Sequence, residues 1–374
     1  MKKLIIGLLI ISTYAIAQEN ADEAIDCGKK FILESKILNE KRTYWVKLPA
    51  SYNNKKYDKQ SYPVMYVLDG KSAFFPLLGV VSFMSEKESV NFQIPEMIVV
   101  GVDTENRIKD LTPNPTTKMP DGQEAKTESQ KLMMAGGGGG ESFFKFMTEE
   151  LFLKIERDYR TIPYRLYVGH SLGGLTAAYT LLKHPGIFNS YLSIDGSLWW
   201  DNGKYVREAP FDLKKEKSKT IQRFYISVVD STQAGAGNRF HVRCIHQLAK
   251  ALKHDAPANV QAKLDVIKDT DHSSIPLLSW YNGLRYIFES YDVSHYSFTA
   301  NPELIESHYA NLEKTIGLKM SPPQDVIEIV LHYLTAPDRY PDKEKALKVA
   351  KIGLKYYPNA PFILEKLKQL ESIK

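Results

Sequence analysis

The stretch YVGHSLGGLTAAYTLLKHP, from Tyr167 to Pro185, sets Ser171 between Gly169 and Gly173. The pattern is G-x-S-x-G. It matters chemically when the serine sits on a sharp strand-to-helix turn that lifts its hydroxyl clear of a sheet. That context is present in outline. The run YRLYV reads as a strand, and LGGLTAAYTLLKH reads as a helix. A turn of this kind aims the Leu172 amide and the positive end of the helix at a developing oxyanion. The bland alternative is an ordinary hydroxyl in a glycine-rich loop.

A serine hydroxyl is a weak nucleophile and needs a base within hydrogen-bond reach. Where such a turn carries catalysis, the chain order is serine, then acid, then histidine. His272, in KDTDHSSIP, falls just after the last strand-like run and just before a helix, where a base on a loop belongs. His184 ends the helix after the serine, where a cation suits the helix dipole. His241, His246 and His254 share one helical run and read as surface or satisfied core histidines. The acid must orient the imidazole and stabilise its charged form. Asp230, at the end of the strand RFYISVV, is the candidate, against the ordinary use of aspartate at strand ends. Asp269 and Asp271 are nearer in sequence, but close loop neighbours face each other poorly. A Ser-His dyad remains open. For the second oxyanion donor, the turn after YPVMYVLDG offers the backbone of Gly70 or Lys71, since glycine permits close approach. A plain Asp-Gly turn is the alternative.

Elements that could position these groups alternate along the chain. KFILESKIL and RTYWVKLPA suit an antiparallel edge pair. YPVMYVLDG, EMIVVGVD, YRLYVGHS, SYLSIDGS, RFYISVVD and AKLDVIKDT read as buried strands. Helical patterns lie between several of them, which predicts a mostly parallel α/β sheet covered on both faces. The segment 112–142 is polar, dotted with proline, and ends in five glycines from Gly136 to Gly140. It is too long for a simple connection and is expected to be mobile or part of a binding site. DSTQAGAGNR, from Asp230 to Arg239, reads as a shorter loop.

Three regions are expected. Residues 1–17 read as a secretory signal: Lys2 and Lys3, an apolar run from Leu4 to Ile11, and a small-x-small site at Ala15–Ala17. Residues 18–295 form the α/β domain. Residues 296–374 are helices alone, a small all-α appendage in which Ala346, Ala350, Gly353 and Pro358 match tetratricopeptide spacing. That tail is a possible protein-partner surface. Losing Lys2 and Lys3 takes the formal charge from +5 to +3, too mild to imply nucleic acid or a membrane surface. Cys27 and Cys244 are too few for a disulfide scaffold, and their pairing stays open. No zinc-type spacing is found.

Together these stretches resemble the enterochelin-esterase-like "putative esterase" family of α/β-hydrolases, which also includes feruloyl and acetyl-xylan esterases, esterase D-like enzymes and mycolyl transferases. The resemblance runs from about residue 30 to 292. It rests on YPVMYVLDG, NRIKDLTP, GGGESFFKFMTEELFLKIERDYRT, YVGHSLGGL, FNSYLSIDGSLWWD and DTDHSSIP. The tail likewise resembles an appendage of bacterial members. The resemblance implies a serine ester hydrolase working through an acyl-enzyme, with no metal or organic cofactor, on a siderophore, acylated-sugar or other small ester. Ser171 would be the nucleophile, His272 the base, and Leu172 with the Gly70 region the oxyanion site. Trp199 and Trp200 would lie near the substrate pocket or simply pack in the core. Arg107 would meet a substrate carboxylate or catecholate oxygen, or else hold its loop by a salt bridge. An acyltransferase, a serine peptidase and a non-catalytic binding module are the other readings.

Overall fold

The computed structural model describes residues 26–85, 92–230, 239–292 and 294–372. Eight strands make one sheet: β1 (Lys29–Ser35), β2 (Glu40–Lys47), β3 (Tyr62–Leu68), β4 (Ile98–Val102), β5 (Thr161–His170), β6 (Ser190–Ile194), β7 (Gln222–Val229) and β8 (Val260–Ile267). Their order is β1-β2-β4-β3-β5-β6-β7-β8. The β1–β2 and β2–β4 pairs are antiparallel, and every later pair is parallel. The eight strand-like runs of the sequence therefore each become a strand, in an α/β-hydrolase-type sheet with its antiparallel edge at the N-terminal side.

The composition of the central strands explains their place. β3, β4, β6 and β7 are buried along their whole length, as continuous apolar runs must be when helices cover both faces. The helices Gly70–Met84 and Ile275–Ile287 pack on one another, and Leu172–Lys183, Trp200–Lys215 and Arg239–Asp255 form a second packed series. Because β3 and β5–β8 run parallel, their C-terminal ends share one edge of the sheet. Asp69, Ser171, Asp195, Asp230 and the segment 268–274 follow those ends. In open α/β sheets this is the edge where ligands bind.

The segment 112–142 is more ordered than its composition suggests. It holds the helix Glu128–Ala135, whose N-terminus is a capping box between Thr127 and Gln130. Its glycines are close-packed: a Cβ on Gly138, at φ +100°, would lie 2.7 Å from the Pro115 ring. The loop 230–239 lies mostly outside the described residues.

From His295 onward the chain is helical: His295–Ala300, Leu304–Ile316, Gln324–Thr335, Lys343–Tyr356 and Pro361–Ser372. Gly353 lets two helices close in, since a Cβ there would meet Ile363 at 2.7 Å and Ile327 at 2.9 Å. The tail is fastened to the sheet domain by Lys56 paired with Glu328, and by Tyr309 against Tyr291 at 6.1 Å. The expected signal segment lies outside the described residues. Among the described residues no helix is long and apolar enough to cross a membrane.

Candidate active site

Ser171 stands between β5 and the helix Leu172–Lys183 with φ 59° and ψ −115°. A non-glycine residue held there stores strain of order 1–3 kcal/mol, which surrounding contacts must over-determine. They do. Ser171 N–H donates to the Ile194 carbonyl at 2.9 Å, and its own carbonyl accepts from Ser197 N–H at 2.9 Å and Leu175 N–H at 3.1 Å. The crowding falls on Gly169 and Gly174. A Cβ on Gly169 would lie 2.4 Å from the Gly173 carbonyl oxygen, and one on Gly174 would lie 2.7 Å from the Gly196 backbone. Gly173 itself has room, with its nearest neighbour at 3.8 Å.

The loop after β8 brings His272 over the tip of β6. Its Nδ1 lies 2.6 Å from Asp195 Oδ2. Asp195 follows β6 directly, at φ 40°, and is 1% exposed. Its backbone is pinned to β7 by N–H donation to the Ser227 carbonyl at 2.9 Å. A second imidazole, His241 from the first turn of Arg239–Asp255, puts Nε2 3.2 Å from Asp195 Oδ1, out of line for a hydrogen bond. Burial pushes the Asp195 carboxyl up, but the two histidines more than offset this and hold it well below the usual carboxylate range. It is therefore an anion at neutral pH.

This corrects the expectation for Asp230. That residue ends β7, and its N–H donates to the Ile267 carbonyl at 3.2 Å. The helix Ile275–Ile287 that follows the histidine loop packs on β6 as well as β7, so the loop runs past the tip of β7 and sets the imidazole on Asp195. Asp271 shapes the same loop, with Oδ1 accepting from the Ser273 and Ser274 amides at 2.9 and 2.8 Å. The reading of His241 as a surface or satisfied core histidine is corrected too.

The His272 ring also lies 4.6 Å from that of His170, the residue before the serine, tilted by 41°. Burial lowers the His170 pKa to about 4, so that ring is neutral at pH 7. Among the described residues the hydroxyl of Ser171 bonds to Ser197 Oγ at 3.2 Å, and no hydrogen bond joins it to His272.

On the other flank, the turn after β3 is braced to the serine turn. Arg107 donates from Nε and Nη2 to the two Asp69 oxygens at 2.7 and 3.0 Å, and from Nη2 to the His170 carbonyl at 3.3 Å. Of the two readings for Arg107, the geometry is that of the loop-holding salt bridge. Asp69, at φ 55°, turns the chain into the helix Gly70–Met84. Gly70 fits because a side chain does not: a Cβ would lie 2.8 Å from the Trp45 ring and 2.9 Å from the Gly101 backbone. The first amides of both helices, at Gly70 and at Leu172, have no intrahelical acceptor.

A serine on this turn and an imidazole on a buried carboxylate are consistent with what the wider comparison shows. The family model described as "Putative esterase" matches residues 35–288. The chain belongs to this esterase family. It is 32% identical over 185 residues to the ferri-bacillibactin esterase BesA of Bacillus subtilis, a match covering 47% of this chain and 59% of that protein. It is 29% identical over 177 residues to the B. subtilis protein YbbA, covering 46% and 63% respectively. The matches thus span about three fifths of these curated relatives. An IroE-like serine hydrolase from Shewanella oneidensis superposes with a TM-score of 0.77 at 26% identity, over 88% of this chain and 99% of that one.

Both tryptophans of this esterase-family protein are buried. Trp200 is fully buried, and its Nε1–H donates to the Asn114 carbonyl at 2.8 Å. Trp199 is 8% exposed and lies 5.5 Å from Trp200, ring to ring. Asn114 also bonds to Asp201 Oδ2 at 3.0 Å and to the Tyr205 hydroxyl at 2.6 Å. Trp200 therefore helps seat the 112–142 segment, whose Gly122 reaches Phe240, next to His241. A cavity of about 230 Å³ opens beside the site, lined by Leu68, Asp69, Ser72, His170, Ser273 and Trp280 among others. A larger hollow of about 800 Å³, lined by Lys47, Pro49 and Met97, sits at the opposite edge of the sheet, away from this chemistry. Both cysteines are free: Cys27 is exposed and Cys244 buried.

Proposed function

We propose that the protein is a serine carboxylic-ester hydrolase in which Ser171 attacks, His272 is the base and Asp195 orients it. The observation that carries this is the 2.6 Å contact between His272 Nδ1 and a buried, ionised Asp195, set beside a serine on a strained strand-to-helix turn. With its Nδ1–H given to Asp195, the imidazole keeps a lone pair on Nε2 for the serine proton. The catalytic hydrogen bond requires the Ser171 hydroxyl to exchange Ser197 for His272; such bonds are often loose without substrate.

The cycle then runs as two acyl transfers. His272 Nε2 takes the hydroxyl proton while Ser171 Oγ bonds to the ester carbonyl carbon. The oxyanion is met by the Leu172 amide and by the Gly70 or Lys71 amide. Collapse of the intermediate breaks the ester C–O bond, and His272 returns its proton to the leaving alcohol. Water repeats the sequence on the acyl-enzyme and restores Ser171. One oxyanion donor is worth roughly a hundredfold in rate. Arg107, by tying Asp69 to the His170 carbonyl, keeps the two donor sets in register.

Siderophore-type esters are the substrate class we favour, from the activity named for BesA. Export is part of the same reading, from the signal-like residues 1–17. Many of the tail's apolar residues, among them Ile305, Leu312, Ile327 and Leu331, are buried in the fold, which supports a bracing role for it. The test is a panel of ferric and iron-free siderophores, feruloylated and acetylated sugars, and p-nitrophenyl esters with wild type and Ser171→Ala. Turnover of at least one ester, abolished in a folded S171A protein, is expected. Retained turnover in S171A contradicts the assignment.

A further inference from the structure

We infer that Asp195, His241 and His272 form a zinc-type site whose occupation switches off the catalytic base. The consequence for catalysis rests on the esterase reading above; the binding of the ion does not.

One carboxylate oxygen and two imidazole nitrogens, from three separate elements, all lie within 4.8 Å of one another. They come from the tip of β6, the first turn of Arg239–Asp255 and the loop after β8, so no linear spacing announces them. The His241 ring is the telling member. Its Nε2 is buried without a hydrogen-bond partner, though it sits 3.2 Å from Asp195 Oδ1. A buried polar atom left so is costly, by about 1–3 kcal/mol, and an ion between the two groups would satisfy it.

The donor set of two histidines and one carboxylate suits Zn²⁺, with bonds of about 2.0–2.2 Å and therefore ligand atoms roughly 3.4 Å apart in a tetrahedron. His241 Nε2 lies 3.2 Å from Asp195 Oδ1 and His272 Nδ1 lies 2.6 Å from Oδ2, one ring on each oxygen of the carboxylate. Admission of the ion requires the His272 ring to back away from Asp195 toward the ligand spacing of such a tetrahedron. His272 can provide that, because its side chain is 45% exposed on a loop while Asp195 and His241 are packed.

The ion and the catalytic proton compete for one atom. In the catalytic form Nδ1 carries the ring proton and gives it to Asp195. With the ion on Nδ1, the neutral ring keeps its single proton on Nε2. That nitrogen then has no lone pair for the Ser171 proton, and acylation stops. Nothing is consumed, and removing the ion restores the base.

The test uses Co²⁺, whose tetrahedral complexes absorb visibly, titrated into the full-length Ser171→Ala protein. One equivalent producing a tetrahedral spectrum is expected. The spectrum is lost when His241→Phe or His272→Gln is added, and kept with His246→Gln, an exposed histidine of the same helix. His272→Gln changes an exposed side chain and keeps the test valid should His241→Phe misfold. In the otherwise wild-type protein, Zn²⁺ inhibits ester hydrolysis reversibly by chelator, with a half-inhibiting concentration at least tenfold higher in His241→Phe, each relative to its own metal-free rate. Absence of the Co²⁺ spectrum, or equal inhibition with and without His241, overturns the proposal and leaves His241 as a packed neighbour of Asp195. A Co²⁺ spectrum in a protein that hydrolyses no ester upholds the metal site and overturns the esterase reading and the switch instead.

Discussion

Replacing Asp195 by asparagine separates the proposed acid from its rival most sharply. The carboxylate bonds through Oδ2 to His272 Nδ1 at 2.6 Å, and its Oδ1 lies 3.2 Å from His241 Nε2. At 1% exposure no water can take its place. An asparagine has one carbonyl oxygen and one NH₂ for the same two rings. If the carbonyl faces His272, the tautomer survives but the hydrogen bond is no longer charge-assisted. That costs about 1–2 kcal/mol, or roughly tenfold. If the NH₂ faces His272, Nδ1 must accept, the proton moves to Nε2 and the base is blocked. The same wrong-tautomer substitution in a serine-protease triad costs about 10⁴ in rate. With both arrangements open to the side chain, kcat/KM should fall by about 10³, which is about 4 kcal/mol of transition-state stabilisation. The assay is p-nitrophenyl ester hydrolysis at pH 7.5, with circular dichroism to confirm the fold. Asp230→Asn, the parallel change at the tip of β7, should stay within about threefold of wild type. A folded D195N enzyme within fivefold of wild type, or a loss of similar size in D230N, refutes the reasoning.

Other outcomes follow from the same geometry. Arg107→Lys breaks the two-pronged grip on Asp69; kcat should drop about tenfold with KM within twofold, whereas a residue that binds a substrate anion would chiefly raise KM. His170 is buried as a neutral ring with its pKa lowered to about 4. Between about pH 6.5 and 4 the unfolded chain binds a proton there that the folded one refuses, so stability rises with pH across that window and is lost on acidification. Denaturant melts should show a shallower loss for His170→Asn, by on the order of 2 kcal/mol at pH 4; identical slopes would contradict the burial argument.

The strands and the serine were legible because they depend on local composition: Val, Ile and Tyr runs, and a glycine before a small-residue helix. Two flanking helices were not. Gly70–Met84 carries Pro76, and Trp200–Lys215 carries Pro210 and a kink at residues 201–203 with positive φ, so each breaks the pattern by which helices are recognised. The acid was illegible for a different reason. Asp69, Asp195 and Asp230 each follow a strand end and look alike in sequence, yet one grips Arg107, one meets His272 and one bonds through its backbone to the end of β8. Which does which depends on how far the loop after β8 travels back across the sheet, a tertiary quantity. The DG in SYLSIDGS was the available signal, since it marks a strand end beside the serine strand. His241 had no such mark: on its helix it resembles His246 and His254, and burial beside Asp195 alone sets it apart.

Reaction with a fluorophosphonate probe, followed by peptide mapping, tests the central claim most directly. The account predicts one phosphonyl group per chain, carried by Ser171, with labelling slowed at least a hundredfold in His272→Gln. An unlabelled protein, or an adduct on Ser197 in place of Ser171, would contradict it.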